Sequence, residues 1–72
     1  MLIGKIDIRP RQKILVTIRV VKGAKTIDVR VHETSEDGEF VPTPAGIALL
    51  PDQVEQAIEL LEEARRRIDE HT

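Results

Sequence analysis

Two alternating runs separated by a glycine-containing link constrain this chain more than any other feature. From Lys13 to Val21, Ile14, Val16, Ile18 and Val20 fall on one side. Lys13, Leu15, Thr17, Arg19 and Val21 fall on the other. From Thr26 to His32, Ile27, Val29 and Val31 oppose Asp28, Arg30 and His32. A period of two belongs to a pleated strand, whose successive side chains leave on opposite faces. The link Lys22-Gly23-Ala24-Lys25 is too short for anything but an antiparallel hairpin. Placing Gly23 and Ala24 in a two-residue type II′ turn uses glycine where a positive φ is needed first. That register sets Val20 opposite Ile27, Ile18 opposite Val29, Arg19 opposite Asp28 and Thr17 opposite Arg30. It keeps one apolar and one polar face.

Leu2 to Ile8 alternates weakly and reads as a short edge strand, interrupted at Arg9-Pro10-Arg11-Gln12 because proline removes a ladder donor. Ser35-Glu36-Asp37-Gly38 reads as a turn, Glu39 to Val41 as a short returning strand and Pro42-Thr43-Pro44-Ala45-Gly46 as an irregular connection. Ile47 to Leu50 then gives a last apolar strand. Pro51 suits a helix's first turn, where its missing N–H costs nothing. Beyond it, Val54, Ala57, Ile58, Leu61, Ala64 and Ile68 recur at helical spacing, with Leu60 at the margin. Glu62 with Arg66 and Glu63 with Arg67 stand four apart in the favourable order. The expected architecture is α+β: a twisted antiparallel sheet of four or five strands, then one long C-terminal helix, in a single domain over residues 1–72.

A chain of 72 residues buries only about 60% of the surface its unfolded form exposes, so it needs support from a disulfide, a metal or a second subunit. There is no cysteine, and His32 and His71 are far apart without ligand-spaced companions. A second copy remains, and the helical stripe is the expected seam. The longest apolar runs are about four residues, far short of a membrane-spanning helix. The expectation is a soluble, cytoplasmic homodimer without metal, cofactor or membrane partner, associated with the nucleoid if it binds DNA.

Charge is unevenly distributed. Residues 1–32 carry eight Lys and Arg against two acids, whereas residues 33–72 carry three Arg against eleven acids. A basic sheet joined to an acidic helix fits a polyanion partner on one side. Ordinary solvated charge is the alternative. Arg65-Arg66-Arg67 reads as cationic complement to the helix's C-terminal dipole. No constellation supports catalysis: the one serine, Ser35, sits in a turn, the carboxylates are scattered, and no phosphate loop or metal motif occurs.

The stretch from Thr17 to Val54, TIRVVKGAKTIDVRVHETSEDGEFVPTPAGIALLPDQV, resembles without a gap the C-terminal domain of the transcriptional coactivator positive cofactor 4. The likeness is carried by Lys22-Gly23, Ile27-Asp28 followed by Arg30, Gly38-Glu39, Pro42, Gly46-Ile47, Leu49, and Pro51 with Gln53. Ile3-Gly4-Lys5-Ile6 echoes the family's first strand, with extra residues following. The resemblance implies a homodimer joined through its helices, with curved sheets forming grooves for single-stranded DNA. Arg19, Lys22 and Arg30 match its basic positions and Gly23 its turn glycine. Lys25, Lys13 and Arg11 extend the candidate nucleic-acid surface.

The chain also departs from that pattern. Val21 stands where the family has an aromatic before the turn, and His32-Glu33 where it has an aromatic pair. Val41-Pro42-Thr43-Pro44-Ala45 replaces a basic loop, and Phe40 is the only aromatic residue. Without a stacking platform, binding should be weak and largely electrostatic. Two readings follow: a dimeric single-stranded DNA-binding protein of coactivator type, with transcription or replication proteins as further partners, or a dimeric protein-interaction module that kept the fold and lost nucleic-acid binding.

Overall fold

The computed structural model describes residues 1–70; His71 and Thr72 lie outside the described residues. Strand β1 (Leu2–Arg9), β2 (Gln12–Val21), β3 (Ala24–Thr34) and β4 (Phe40–Leu49) form one antiparallel sheet in chain order, and α1 spans Pro51–Glu70. The expected α+β order is borne out. The sheet is a meander with β1 and β4 at its edges.

The central hairpin differs from the sequence expectation in its turn. The loop residues are Lys22 and Gly23, both at positive φ (52° and 81°), and Val21 pairs with Ala24. Positive φ at both loop positions is the type I′ requirement, whose twist matches the right-handed twist of the strands. Moving the turn back by one residue slides the register by two. The faces therefore survive while every partner changes. Val20 opposes Lys25, Ile18 opposes Ile27, Arg19 opposes Thr26, Thr17 opposes Asp28, and Leu15 opposes Arg30. The expected Arg19–Asp28 and Thr17–Arg30 pairs are not made.

A second correction concerns β4, which runs as one strand where two short strands and an irregular link were expected. The two prolines fit because β4 is an edge strand, where a missing N–H need not break a ladder. A bulge absorbs the irregularity: Arg30 pairs with Gly46, but His32 pairs with Pro42. Inside it, the Thr43 hydroxyl donates to the Val31 carbonyl at 2.8 Å and accepts from the Ala45 N–H at 3.2 Å. A side chain thus takes over ladder bonds the prolines cannot make.

At the start of α1, the Gln53 side chain accepts from the Leu50 N–H at 2.9 Å while the Gln53 N–H donates to the Leu50 carbonyl at 2.9 Å. This is the reaching-back half of a capping box, with Pro51 in the first turn. Near the other end, Glu63 accepts from both Arg66 (2.6 Å) and Arg67 (2.9 Å). Glu63 therefore holds Arg66 in place of the expected Glu62, because three residues is as close as four on a helix.

Among the described residues no apolar side chain is buried. The helix meets the sheet chiefly at β3. Of its stripe, Val54 and Ala57 are half-buried, whereas Ile58, Leu61, Ala64 and Ile68 are exposed. The radius of gyration, 14.4 Å, exceeds the roughly 11 Å of a compact chain this long. The distal helix thus projects from the sheet, carrying an uncovered apolar stripe.

Candidate nucleic-acid interface

Register fixes which side chains share the polar face. On β2 and β3 these are Lys13 with His32, Leu15 with Arg30, Thr17 with Asp28, Arg19 with Thr26, and Val21 with Ala24. Edge strand β1 adds Lys5 beside Leu15 and Asp7 beside Lys13. Edge strand β4 adds Pro42 beside His32 and Phe40 beside Thr34. The opposite face carries Ile14, Val16, Ile18, Ile27, Val29, Val31, Ile47 and Leu49.

The seven basic-surface candidates divide into three groups. Arg19 and Lys22 are exposed and, among the described residues, their side chains have no hydrogen-bonding or ionic partner, although the Arg19 carbonyl accepts from the Thr26 hydroxyl at 3.3 Å. Arg19 lies on the polar face, and Lys22 and Gly23 form the hairpin tip beside it. Lys25 is also exposed and unpaired, but it opposes Val20 and so belongs to the apolar side. The register does not bring it together with Arg19.

Arg30 is tied down. Its guanidinium donates to both Asp28 carboxylate oxygens (Nε at 3.1 and 3.3 Å, Nη2 at 3.2 Å), and its Nη1 donates to the Thr43 carbonyl at 2.9 Å. The Arg30 side chain is 19% exposed and that of Asp28 only 4%. Arg30 therefore shapes the floor of the polar face more than it offers a free charge. The close approach of β4 here depends on Gly46. A Cβ at that position would lie 2.7 Å from the Val29 carbonyl oxygen and 2.8 Å from the Arg30 Cα.

Lys13 and Arg11 occupy the far end. Lys13 donates to Asp7 at 2.7 Å and stands 5.9 Å from the centre of the Phe40 ring. That hydrogen bond, and then the ammonium charge, hold the exposed Asp7 carboxyl below its usual value. Arg11 reaches the Thr34 carbonyl at 3.5 Å, and the Thr34 N–H donates to the Arg11 carbonyl at 2.9 Å. A cavity of about 530 Å³ lies here, lined by Arg9, Pro10, Arg11, Gln12, Glu33 and Thr34. Gln12 bridges to Glu33 at 3.2 Å.

Where the family carries aromatics, Val21 is 44% exposed. His32 is half-buried, with Nδ1 3.1 Å from the Arg30 carbonyl. Sequence reasoning noted Phe40 but not its face, because the bulge in β4 hides the register. Among the described residues no group of three or more carboxylates and histidines could hold a metal. Among the described residues no helix is long and apolar enough to cross a membrane.

The family model described as Transcriptional Coactivator p15 (PC4) matches residues 7–60, more than half of the chain. The chain belongs to the PC4 family. Solved structures agree. BPSL1147, a PC4 homolog from Burkholderia pseudomallei, superposes in its orthorhombic crystal form with a TM-score of 0.87 at 33% identity, covering 92% of this chain and 89% of that one. Its tetragonal form gives 0.85 at 32% identity, covering 90% and 96%. A comparison with curated proteins gives no significant match. The PC4 likeness thus extends beyond the matched segment to nearly the whole chain, including part of β1 and most of α1.

Proposed function

We propose that this PC4-family protein is a homodimeric binder of single-stranded nucleic acid, DNA in the first instance, with no catalytic activity of its own. The observation that carries the reading is the hairpin tip, where Arg19 and Lys22 stand exposed with no acid among the described residues to neutralise them. Lys22 holds a left-handed backbone at φ 52°, a conformation that disfavours side chains other than glycine. A lysine kept there in spite of that cost is consistent with a use for its charge. Arg19, Lys22 and the Gly23 backbone are assigned to phosphates. Arg30 supports the floor of the polar face, Lys13 and Arg11 lie at its far end, and Lys25 stands on the opposite face near the same tip.

The homodimer is supported by the projecting helix. Ile58, Leu61 and Ile68 are 49%, 70% and 64% exposed, and covering what remains open of each is worth about 1–2 kcal/mol. A second copy presenting the same stripe would cover them and supply the core that one chain lacks. With Val21 in place of an aromatic at the tip, binding is weak and electrostatic there.

The protein-interaction module remains as a second reading, because Asp28 and Asp7 already occupy Arg30 and Lys13. Fluorescence anisotropy of a labelled single-stranded oligonucleotide at low salt, competed with duplex of the same sequence, separates the two. Binding that duplex competes for poorly supports the proposal. No binding of either at low salt favours the interaction module.

A further inference from the structure

We infer that the far end of the polar face forms a second nucleotide subsite, in which Phe40 stacks on a base while Arg11 holds the adjoining phosphate. The inference rests on the nucleic-acid reading and concerns a different part of the sheet from the hairpin tip.

Its first support is placement. Phe40 pairs with Thr34, two residues along β3 from His32 and four from Arg30, so all four side chains leave the same face. The Lys13 ammonium agrees with that side: held by Asp7 of β1 at 2.7 Å, it stands 5.9 Å from the centre of the Phe40 ring. The single aromatic of a chain whose family positions for aromatics are vacant thus lies on the polar face. Its site is on an edge strand, displaced from those vacant positions.

The second support is availability. Phe40 is 37% exposed, so the ring is not consumed by a core. An exposed π-face is what a base needs for stacking, whatever the base's identity. The cation beside the ring is oriented by Asp7, whose carboxylate fixes the ammonium at 2.7 Å. With its side chain only 17% exposed, Lys13 is as tied down as Arg30, so the phosphate beside a stacked base falls to Arg11 at the β1–β2 turn.

The third support is space and charge. Thr34, the partner of Phe40, also lines an open depression of about 530 Å³ at the β1–β2 turn, shared with Arg9 and Arg11 and, from the other face, with Gln12 and Glu33. That volume falls within the range of small-ligand pockets. The chain from Lys13 to Lys22 along β2 spans roughly 30 Å at about 3.4 Å per residue. A strand held at the hairpin tip could therefore be followed along the face to a second, base-reading contact.

The test uses the full chain with two ligands of equal length and charge, a thymidine oligonucleotide and its abasic counterpart. Wild type should prefer the thymidine oligonucleotide by about tenfold, the worth of roughly one stacked base. Phe40→Ala should bring that preference close to one while leaving the salt dependence unchanged. Arg19→Ala should instead weaken both ligands alike. The chain has no Trp or Tyr, so Phe40→Trp provides its only indole. Its emission should be quenched by the thymidine oligonucleotide and not by the abasic one. If wild type binds but Phe40→Ala keeps the full preference, or the Phe40→Trp emission does not respond at saturation, the subsite is wrong and the hairpin-tip reading stands. If wild type binds neither ligand at low salt, both fall.

Discussion

Arg30 and Asp28, two residues apart on one face of β3, are locked in a bidentate pair whose carboxylate is almost wholly buried. Removing the arginine would leave that carboxylate without its main partner in a place water hardly reaches. Breaking a buried pair from one side costs several kcal/mol, reduced here by the partial exposure of Arg30. Arg30→Ala should lose about 2–4 kcal/mol in urea unfolding, whereas the exposed Lys22→Ala should change stability by less than about 0.5 kcal/mol. Equal effects of the two would show that the pair contributes nothing to the fold.

Lys22 offers a separation of stability from binding. Glycine adopts its left-handed backbone without strain. Lys22→Gly should therefore raise stability by up to about 1 kcal/mol and weaken oligonucleotide binding at low salt. Thermal melts and anisotropy titrations should move in opposite directions. If both fall together, the strain at this position serves the fold and not the ligand.

At Gly46 the constraint is backbone against backbone. The methyl of Gly46→Ala would press on the Val29 carbonyl and the Arg30 Cα, neither of which can rotate aside. Parting β4 from β3 at this row should cost about 2–3 kcal/mol and disturb the Arg30–Thr43 contact. An alanine variant as stable as wild type would mean that the bulge yields freely.

Asp7 keeps Lys13 partly neutralised. Asp7→Asn should free the ammonium and remove a repulsive charge near the second subsite, tightening oligonucleotide binding by roughly three- to fivefold at low salt. The pH sign follows from the lowered Asp7 pKa. Any stability the pair contributes is fully present above the ordinary carboxylate value and is lost only as pH falls through the lowered one. Weaker binding by Asp7→Asn would show that Asp7 positions Lys13 more than it competes for it.

Much of this fold was legible because periodicity speaks directly to faces. Ile14 to Val20 and Ile27 to Val31 could belong only to a two-faced hairpin, and slipping it by two residues left the faces intact. The turn itself was not legible. A lysine in the left-handed region runs against its intrinsic preference, so Gly23-Ala24 looked the better pair. Strand β4 was hidden by Pro42 and Pro44, whose lost ladder bonds Thr43 replaces in a way no local pattern announces. For the candidate site, Arg19 and Lys22 were marked by their charge and by the family resemblance, and the structure leaves their side chains exposed. The neutralisation of Arg30 by Asp28, an i,i+2 neighbour on the same face, needed coordinates, as did the face of Phe40. On the helix, the six-residue stripe was correct as a pattern. The structure alone showed that it is half-buried at Val54 and Ala57 and open beyond.

That open stripe sets the expectation for assembly. In an isolated chain Leu61 is 70% exposed, so Leu61→Asp should cost the single chain little. Across a helix seam the same change buries carboxylates and should cost several kcal/mol. Sedimentation should give a dimer at micromolar concentration for wild type, and a monomer or unfolded chain for Leu61→Asp. A stable wild-type monomer would refute the dimer.

The most direct test of the central claim is the salt dependence of single-stranded oligonucleotide binding, compared between wild type and the Arg19→Ala, Lys22→Ala double variant. Affinity should fall with a log–log slope of roughly −0.7 per phosphate contacted, and the double variant should lose about 1.4 from that slope while staying folded. Wild-type binding that is insensitive to salt, or a double variant with an unchanged slope and affinity, would contradict the assignment of this hairpin tip to nucleic acid.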